Sequence, residues 1–301
     1  MILLIFAMLI DAALGEPKQI WDRYPHPAVL MGRAVEWLDQ RLNIGAWQKA
    51  KGIAAMAVLA VGAIALGLLI HLIPDYGLLE CLTIAVLLAQ RSLVDHVKAV
   101  ADGLRMSLEE GRRAVAMIVG RDTAQLDHPG VARAAIESAA ENFSDGVVAP
   151  IFWYVVAGLP GLLLYKITNT ADSMIGHRTP RHEQFGWAAA RFDDLLNLIP
   201  ARLSAAMIAL AHFNTNYKPI LRDAPLHRSP NAGWPEAAMA MVLNVALSGP
   251  RSYNGVRQDF PWVYPEGLST IDEAEVDSAV LALWRSWVAV LLGVVVLSIV
   301  I

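Results

Sequence analysis

Residues 52–73 contain no Asp, Glu, Lys or Arg over a stretch about as long as the ~20 residues that a helix needs to cross a hydrocarbon core. A run of this kind has few fates, and residues 287–301 repeat its character. A length of 301 residues is compatible with a soluble domain, but the 56% hydrophobic content is gathered into runs instead of being spread through amphipathic patterns. That clustering predicts an integral membrane protein.

Taken in order, residues 1–14 form a first apolar helix with Asp11 near its end, stopped by Gly15-Glu16-Pro17. No basic stretch precedes it and no A-x-A-like site follows, so it is expected to be retained. Residues 33–42 suggest a short amphipathic helix with Trp37 at the membrane interface. Residues 52–73 then cross, Pro74-Asp75-Tyr76-Gly77 turns, and residues 78–89 cross back, continuing helically through Arg91 and His96. Lysines and arginines crowd both flanks of this hairpin, from Lys18 to Lys51 and from Arg91 to Arg133, which puts that side in the cytoplasm. There, residues 104–119 read as one helix, and Asp127 with Pro129 just inside starts the next.

Residues 147–165 are interrupted by Gly158-Leu159-Pro160-Gly161. A kinked single crossing and a re-entrant pair of half-helices both fit, and re-entry is favoured because broken helices line buried cavities. Residues 195–213 are apolar but carry Pro200 and Arg202, residues 214–234 form a polar loop, residues 235–247 a short helix, and residues 249–255 a turn-rich loop. An acidic surface segment, residues 272–277, leads into the last crossing. With no repeat or linker, the expectation is a single domain over 1–301: all-α, a polytopic membrane helical bundle with broken or re-entrant helices and cytoplasmic polar helical loops.

A net charge of -4 gives no basic face for nucleic acid, and the lone Cys81 excludes an internal disulfide or a multi-cysteine metal site. Chemistry is sought instead between Glu137 and Asn197. Glu137, Glu141 and Asp145 recur at i, i+4 and i+8, so one helical face would stack three acids that repel unless a cation such as magnesium joins them. The alternative is a solvated acidic face with Arg133 paired to Glu137. Lys166, Asn169, Asp172 and Ser173 share a second face, followed by His177, Arg178 and Arg181, a mixture suited to a phosphorylated ligand or to an interfacial helix end. Asp193 and Asp194 with Asn197 and Arg202 make a third, for which helix capping is the simpler account. There is no P-loop, G-x-G-x-x-G, H-E-x-x-H or nucleophile elbow.

The ordered motifs resemble the CobD/CbiB-type cobalamin-biosynthesis membrane family, the adenosylcobinamide-phosphate synthases. They include Gly15-Glu16-Pro17, His26-Pro27, Gly120-Arg121-Asp122-Thr123, Glu137-Ser138 through Glu141-Asn142, and Asp145 to Pro150. They continue with Asn169 to Pro180, Gly186 to Arg191 with Asp193-Asp194, Pro200-Ala201-Arg202, and Ser229-Pro230-Asn231 through Glu236. The last 50 or so residues match only loosely. The resemblance implies an ATP- and magnesium-dependent amide ligation. Adenosylcobyric acid would be joined to (R)-1-amino-2-propanol O-phosphate or threonine phosphate, giving adenosylcobinamide phosphate. ATP would convert the poorly electrophilic carboxylate to an acyl phosphate, and the amine would attack unprotonated.

Carried onto this sequence, Glu137, Glu141, Asp145 and Asp172 are expected at magnesium, and His177, Asp194 and Asp172 in catalysis. Lys166, Asn169, Ser173, Arg178, Arg191, Asp193, Asn197, Arg202 and Asn231 are expected at substrate and phosphate. The expected setting is the cell inner membrane with a cytoplasmic site, and the expected partners are the lipid bilayer and other late cobalamin-assembly enzymes. Two rivals stand beside this. A UbiA-like prenyltransferase would use Asn169-x-x-Asp172 and Asp193-Asp194-x-x-Asn197 as diphosphate-binding motifs, whereas an AmpE-like membrane sensor needs no such polar constellation.

Overall fold

The computed structural model describes residues 1–253 and 256–300. Its helices are α1 (Ile2–Leu14), α2 (Lys18–Trp21), α3 (Pro27–Leu42), α4 (Gln48–His71), α5 (Leu78–Leu87), α6 (Gln90–Met106) and α7 (Leu108–Ala116). After them come α8 (His128–Phe143), α9 (Ala149–Ile175), α10 (Trp187–Leu196), α11 (Leu198–Ala211), α12 (Lys218–Asp223), α13 (Gly233–Leu243) and α14 (Glu273–Val300). A π-helical turn, Ser144–Val148, separates α8 from α9. The chain groups into two compact units, residues 1–89 with 149–198 and residues 90–148 with 199–301.

In the first unit α4 is 24 residues long, about 36 Å, and two of its glycines show what presses on it. A Cβ at Gly52 would stand 2.0 Å from the carbonyl oxygen of Phe185, and one at Gly67 would stand 2.6 Å from Cα of Pro160. The loop after α9 therefore lies against the start of α4, and Pro160 lies near its other end, about 22 Å away along the helix.

Between those contacts α9 is broken. Ala157 (φ -139°, ψ 18°) and Gly158 (φ 63°, ψ -159°) leave helical geometry, and Gly158 occupies a region open essentially to glycine alone. A Cβ at Gly161 would come within 2.5 Å of the Trp153 carbonyl oxygen, although in a straight helix those residues lie about 12 Å apart. The bend is therefore a sharp fold-back. Ala149 and Tyr165, from the two arms, share one buried cluster with Leu196 of α10, and Trp153 and Phe192 pack on it.

α1 lies along α5, where Cys81 Sγ donates to the Leu3 carbonyl oxygen at 3.6 Å. The expected return crossing at 78–89 is corrected here. α5 has 10 residues, about 15 Å, and Leu88 is extended (φ -77°, ψ 154°), so the helix does not run through Arg91.

In the second unit α6, α8 and α14 pack together. The single helix expected over 104–119 is interrupted at Ser107, whose hydroxyl caps α7 by accepting from the Glu110 amide at 3.1 Å. Asp127 caps α8 as its sequence predicted, accepting from Gly130 N at 2.8 Å. The 214–234 loop contains α12, and α13 stops at Asn244 in the left-handed conformation instead of reaching 247. A purely all-α expectation also needs amending. Antiparallel β1 (Leu247–Ser248) pairs with β4 (Trp262–Val263), and β2 (Arg251–Tyr253) pairs with β3 (Val256–Gln258). The turn expected over 249–255 and the last crossing through 301 reach residues 254, 255 and 301, which lie outside the described residues.

Three helical stretches are long and apolar enough to cross a membrane, within Gln48–His71, His128–Ile175 and Glu273–Val300, and the pair α10 and α11 counts as a fourth if taken as one span. The chain is mostly helical, with the apolar helices that a membrane protein requires.

Candidate functional site

The first unit gathers most of the expected site residues around the end of α9. Lys166, Asn169, Asp172 and Ser173 follow one another at helical spacing on the second arm of α9, as their sequence spacing requires. Asp193 and Asp194 lie inside α10, more than a turn past its start at Trp187, which removes the capping explanation.

Asp193 is buried, with 9% of its surface exposed, and amide donors surround it. Asn197 Nδ2 donates to Oδ2 at 3.0 Å and Asn169 Nδ2 to Oδ1 at 3.4 Å. The Tyr165 hydroxyl in turn donates to Asn197 Oδ1 at 3.1 Å. Asp193 and Asn197 therefore fasten α10 to α9. Asp194 accepts from Arg191 Nη1 at 3.1 Å.

Asp172 stands apart. Its charge interacts with those of His177, Asp193 and Asp194, yet its side chain has no hydrogen-bond partner among the described residues. It is held in place by Gly176, where a Cβ would stand 1.9 Å from Asp172 Oδ1. The chain then runs through His177 and Arg178, both exposed, and closes at Gly186, where a Cβ would strike the Ile175 carbonyl oxygen at 1.6 Å. Two glycines thus permit a loop that returns onto the end of α9 and keeps the His177 charge within reach of Asp172.

One anchor of this loop escaped the sequence. Asp39 of α3 is buried and accepts from Arg181 Nη2 at 2.5 Å, from Arg181 Nε at 3.2 Å and from Asn43 Nδ2 at 2.8 Å. His182 Nε2 stands 3.4 Å from the same carboxylate, and Asn43 also donates to the Arg181 carbonyl oxygen at 3.0 Å. Burial alone would raise the Asp39 pKa, but the hydrogen bonds from Asn43, Arg181 and His182 and the Arg181 charge hold it below its ordinary value. Nothing in the local pattern around Asp39 distinguishes it, because the charged partners, Arg181 and His182, lie 142 and 143 residues away.

The remaining expected residues fall in the second unit. Glu137 is buried in an ion pair with Arg121 Nη2 at 2.8 Å, and its other oxygen accepts from the Ser248 amide at 2.7 Å. Arg133, its suggested partner, donates to the carbonyl oxygens of Ala246 and Ser269 and stacks on Trp262. Glu141 is exposed and Asp145 lies in the π-helical turn, so the i, i+4, i+8 face does not persist; α8 ends at Phe143. Among the described residues, no group of three or more His, Cys, Asp and Glu is arranged to hold a metal ion. Arg202 stacks 4.5 Å over Trp234 and reaches Asn231 Oδ1 at 3.5 Å, joining two of the expected ligand residues.

The sequence matches the CobD/Cbib protein family over residues 4–283. The chain belongs to that family. It is 52% identical over 298 residues to the "Cobalamin biosynthesis protein CobD" of Rhizobium meliloti, covering 93% of this chain and 91% of the relative. The protein of the same description from Sinorhizobium fredii is 50% identical over 95% of this chain and 93% of its own length. That from Brucella anthropi is 45% identical over 98% and 96%. No solved structure matches. The expected family resemblance is confirmed, and the chain has a role in cobalamin biosynthesis. The prenyltransferase and sensor alternatives draw no support from these relatives.

Proposed function

We propose that the protein joins the free propionate carboxylate of adenosylcobyric acid to the amine of (R)-1-amino-2-propanol O-phosphate, or of threonine phosphate, in an ATP- and magnesium-dependent amide ligation. Membership of a cobalamin-biosynthesis family supports the pathway. The observation that carries the chemistry is Asp172, a carboxylate without a hydrogen-bond partner among the described residues, within reach of the charges of His177 and Asp194.

Magnesium characteristically takes one or two protein carboxylates and completes its shell with phosphate oxygens and water. Asp172 with Asp194 fits that pattern, and the absence of a preformed protein cage is consistent with it. Bound MgATP would supply the activation that a free carboxylate lacks. The chain's own residues then hold and orient. Lys166, Arg178 and Arg191 offer cations to phosphate oxygens, with the Arg178 fork suited to paired contacts. His177, exposed next to Asp172, is placed to take the proton that the attacking amine must lose. Asp193, Asn169 and Asn197 keep the two helices in register behind them.

The fold-back at Ala157–Gly158 supports the re-entrant disposition of α9. Lys49, Lys51, Arg178, Arg181 and Arg191 gather toward the start of α4, whereas the turn at its other end carries Asp75 and no Lys or Arg. This charge asymmetry supports a cytoplasmic site at an inner membrane.

The test is direct. Purified protein in detergent receives adenosylcobyric acid, one amine phosphate at a time, and MgATP. Adenosylcobinamide phosphate should form with one of the two amines and depend on both ATP and magnesium. No product with either amine overturns the proposal.

A further inference from the structure

The second unit carries an apolar groove with a cation at its head. α11 and α14 line a cavity of about 700 Å³, with Met207, Leu210 and Ala211 on one wall. On α14 the wall is built by residues one turn apart, from Trp284 and Arg285 through Val288, Ala289, Leu292 and Gly293 to Val296. From Arg285 to Val296 the stripe runs about 16 Å, close to one leaflet of a hydrocarbon core ~30 Å thick. Leu292 and Val296 are exposed, and α14 is one of the helices long and apolar enough to cross a membrane. The groove therefore opens where lipid chains lie.

Arg285 is exposed and has no ion pair or hydrogen bond to another side chain among the described residues. The nearest acid before it on the same helix, Asp277, is paired with Arg105. An unpartnered cation on a spanning helix is costly unless it reaches headgroups or an anion, and it sits next to Trp284, a residue type favoured at the interface. A lipid-facing apolar groove alone would accept any tail. The cation at its mouth adds a preference of charge.

We infer that this groove is a binding site for an anionic phospholipid, with one acyl chain along α14 and the phosphate on Arg285. The occupant is a lipid of the leaflet that contains Arg285.

Gly293 makes the test clean, because a Cβ added there meets nothing within 4 Å. Gly293→Phe should fill the groove without disturbing the helix pair. Protein purified in mild detergent is exposed to equal phosphatidylglycerol and phosphatidylcholine, washed, and examined by native mass spectrometry. The wild-type protein should retain phosphatidylglycerol in at least several-fold preference. Arg285→Gln should remove the preference, and Gly293→Phe should remove retention of both lipids, while thermal unfolding in detergent stays unchanged for each. The inference is overturned if the wild-type protein retains neither lipid, if it retains both equally, or if Gly293→Phe retains phosphatidylglycerol like wild type. It is also overturned if the wild type is a dimer that Gly293→Phe dissociates, since a second copy would then cover the groove.

Discussion

At the scale of single residues, the acids that looked alike in the sequence separate into two kinds. Glu137 is paired with Arg121 and the Ser248 amide, whereas Asp172 keeps its carboxylate without a hydrogen-bond partner among the described residues. Removing one member of a buried pair strands the other charge, at a cost of about 3–5 kcal/mol. Glu137→Ala should therefore lower the unfolding temperature in detergent by several degrees or prevent folding. Asp172→Ala should reduce ligation by at least 100-fold while leaving the unfolding temperature within about 1 °C, as expected for a residue whose contacts are with ligands. Gly176→Ala should resemble it in activity, because the new methyl group would displace Asp172 Oδ1. Asp39 behaves differently again. A carboxylate held below its ordinary pKa contributes stability above the unfolded value of about 3.9 and loses it as pH falls through the lower folded value. The clamp on the 176–186 loop is therefore fully formed at neutral pH. Asp39→Asn should loosen that loop, measured as faster proteolysis after Arg178 or Arg181, and the difference from wild type should vanish only in strong acid.

At the scale of elements, the legible parts were those written in local sequence. Asp127 with Pro129 announced the start of α8, and Lys166 to Ser173 fell on one face because the chain there is helical. What escaped was set by partners distant in sequence. The i, i+4, i+8 acids failed because α8 gives way to a π-helical turn before Asp145, and no local signal distinguishes that turn from further α-helix. Asp193 lies too far into α10 to be its cap, and its bond from Asn169, a fastening between helices, has no signature in the local sequence. The break in α9 was legible as glycine and proline, but its position at Ala157–Gly158, just ahead of the Pro160-Gly161 pair, is a matter of backbone geometry. Gly158 at φ 63° and ψ -159° cannot be replaced cheaply, since strained backbone of this kind costs about 1–3 kcal/mol. Gly158→Ala should accordingly lower the unfolding temperature, whereas Gly62→Ala on α4, where a Cβ meets nothing within 4 Å, should not.

At the scale of the molecule, the first unit contains enough to orient itself in a membrane. Gly52 against Phe185 fixes one end of α4 beside the 176–186 loop, and Gly67 against Pro160 fixes the other beside the fold-back of α9. About 22 Å of helix lies between, most of the thickness of a hydrocarbon core. The basic residues sit with the loop and the acid Asp75 with the opposite turn, the distribution that the proposed cytoplasmic site requires. Cys81 is the sole cysteine and is buried, so single cysteines placed elsewhere report with little background. In intact cells, a membrane-impermeant maleimide should label Asp75→Cys and leave Thr179→Cys unmodified until the membrane is opened. Labelling of Thr179→Cys from outside would place the Asp172 cluster away from cytoplasmic ATP and defeat the proposed ligation, whatever the purified protein does in detergent. Labelling of both positions from outside would show instead that α4 does not cross.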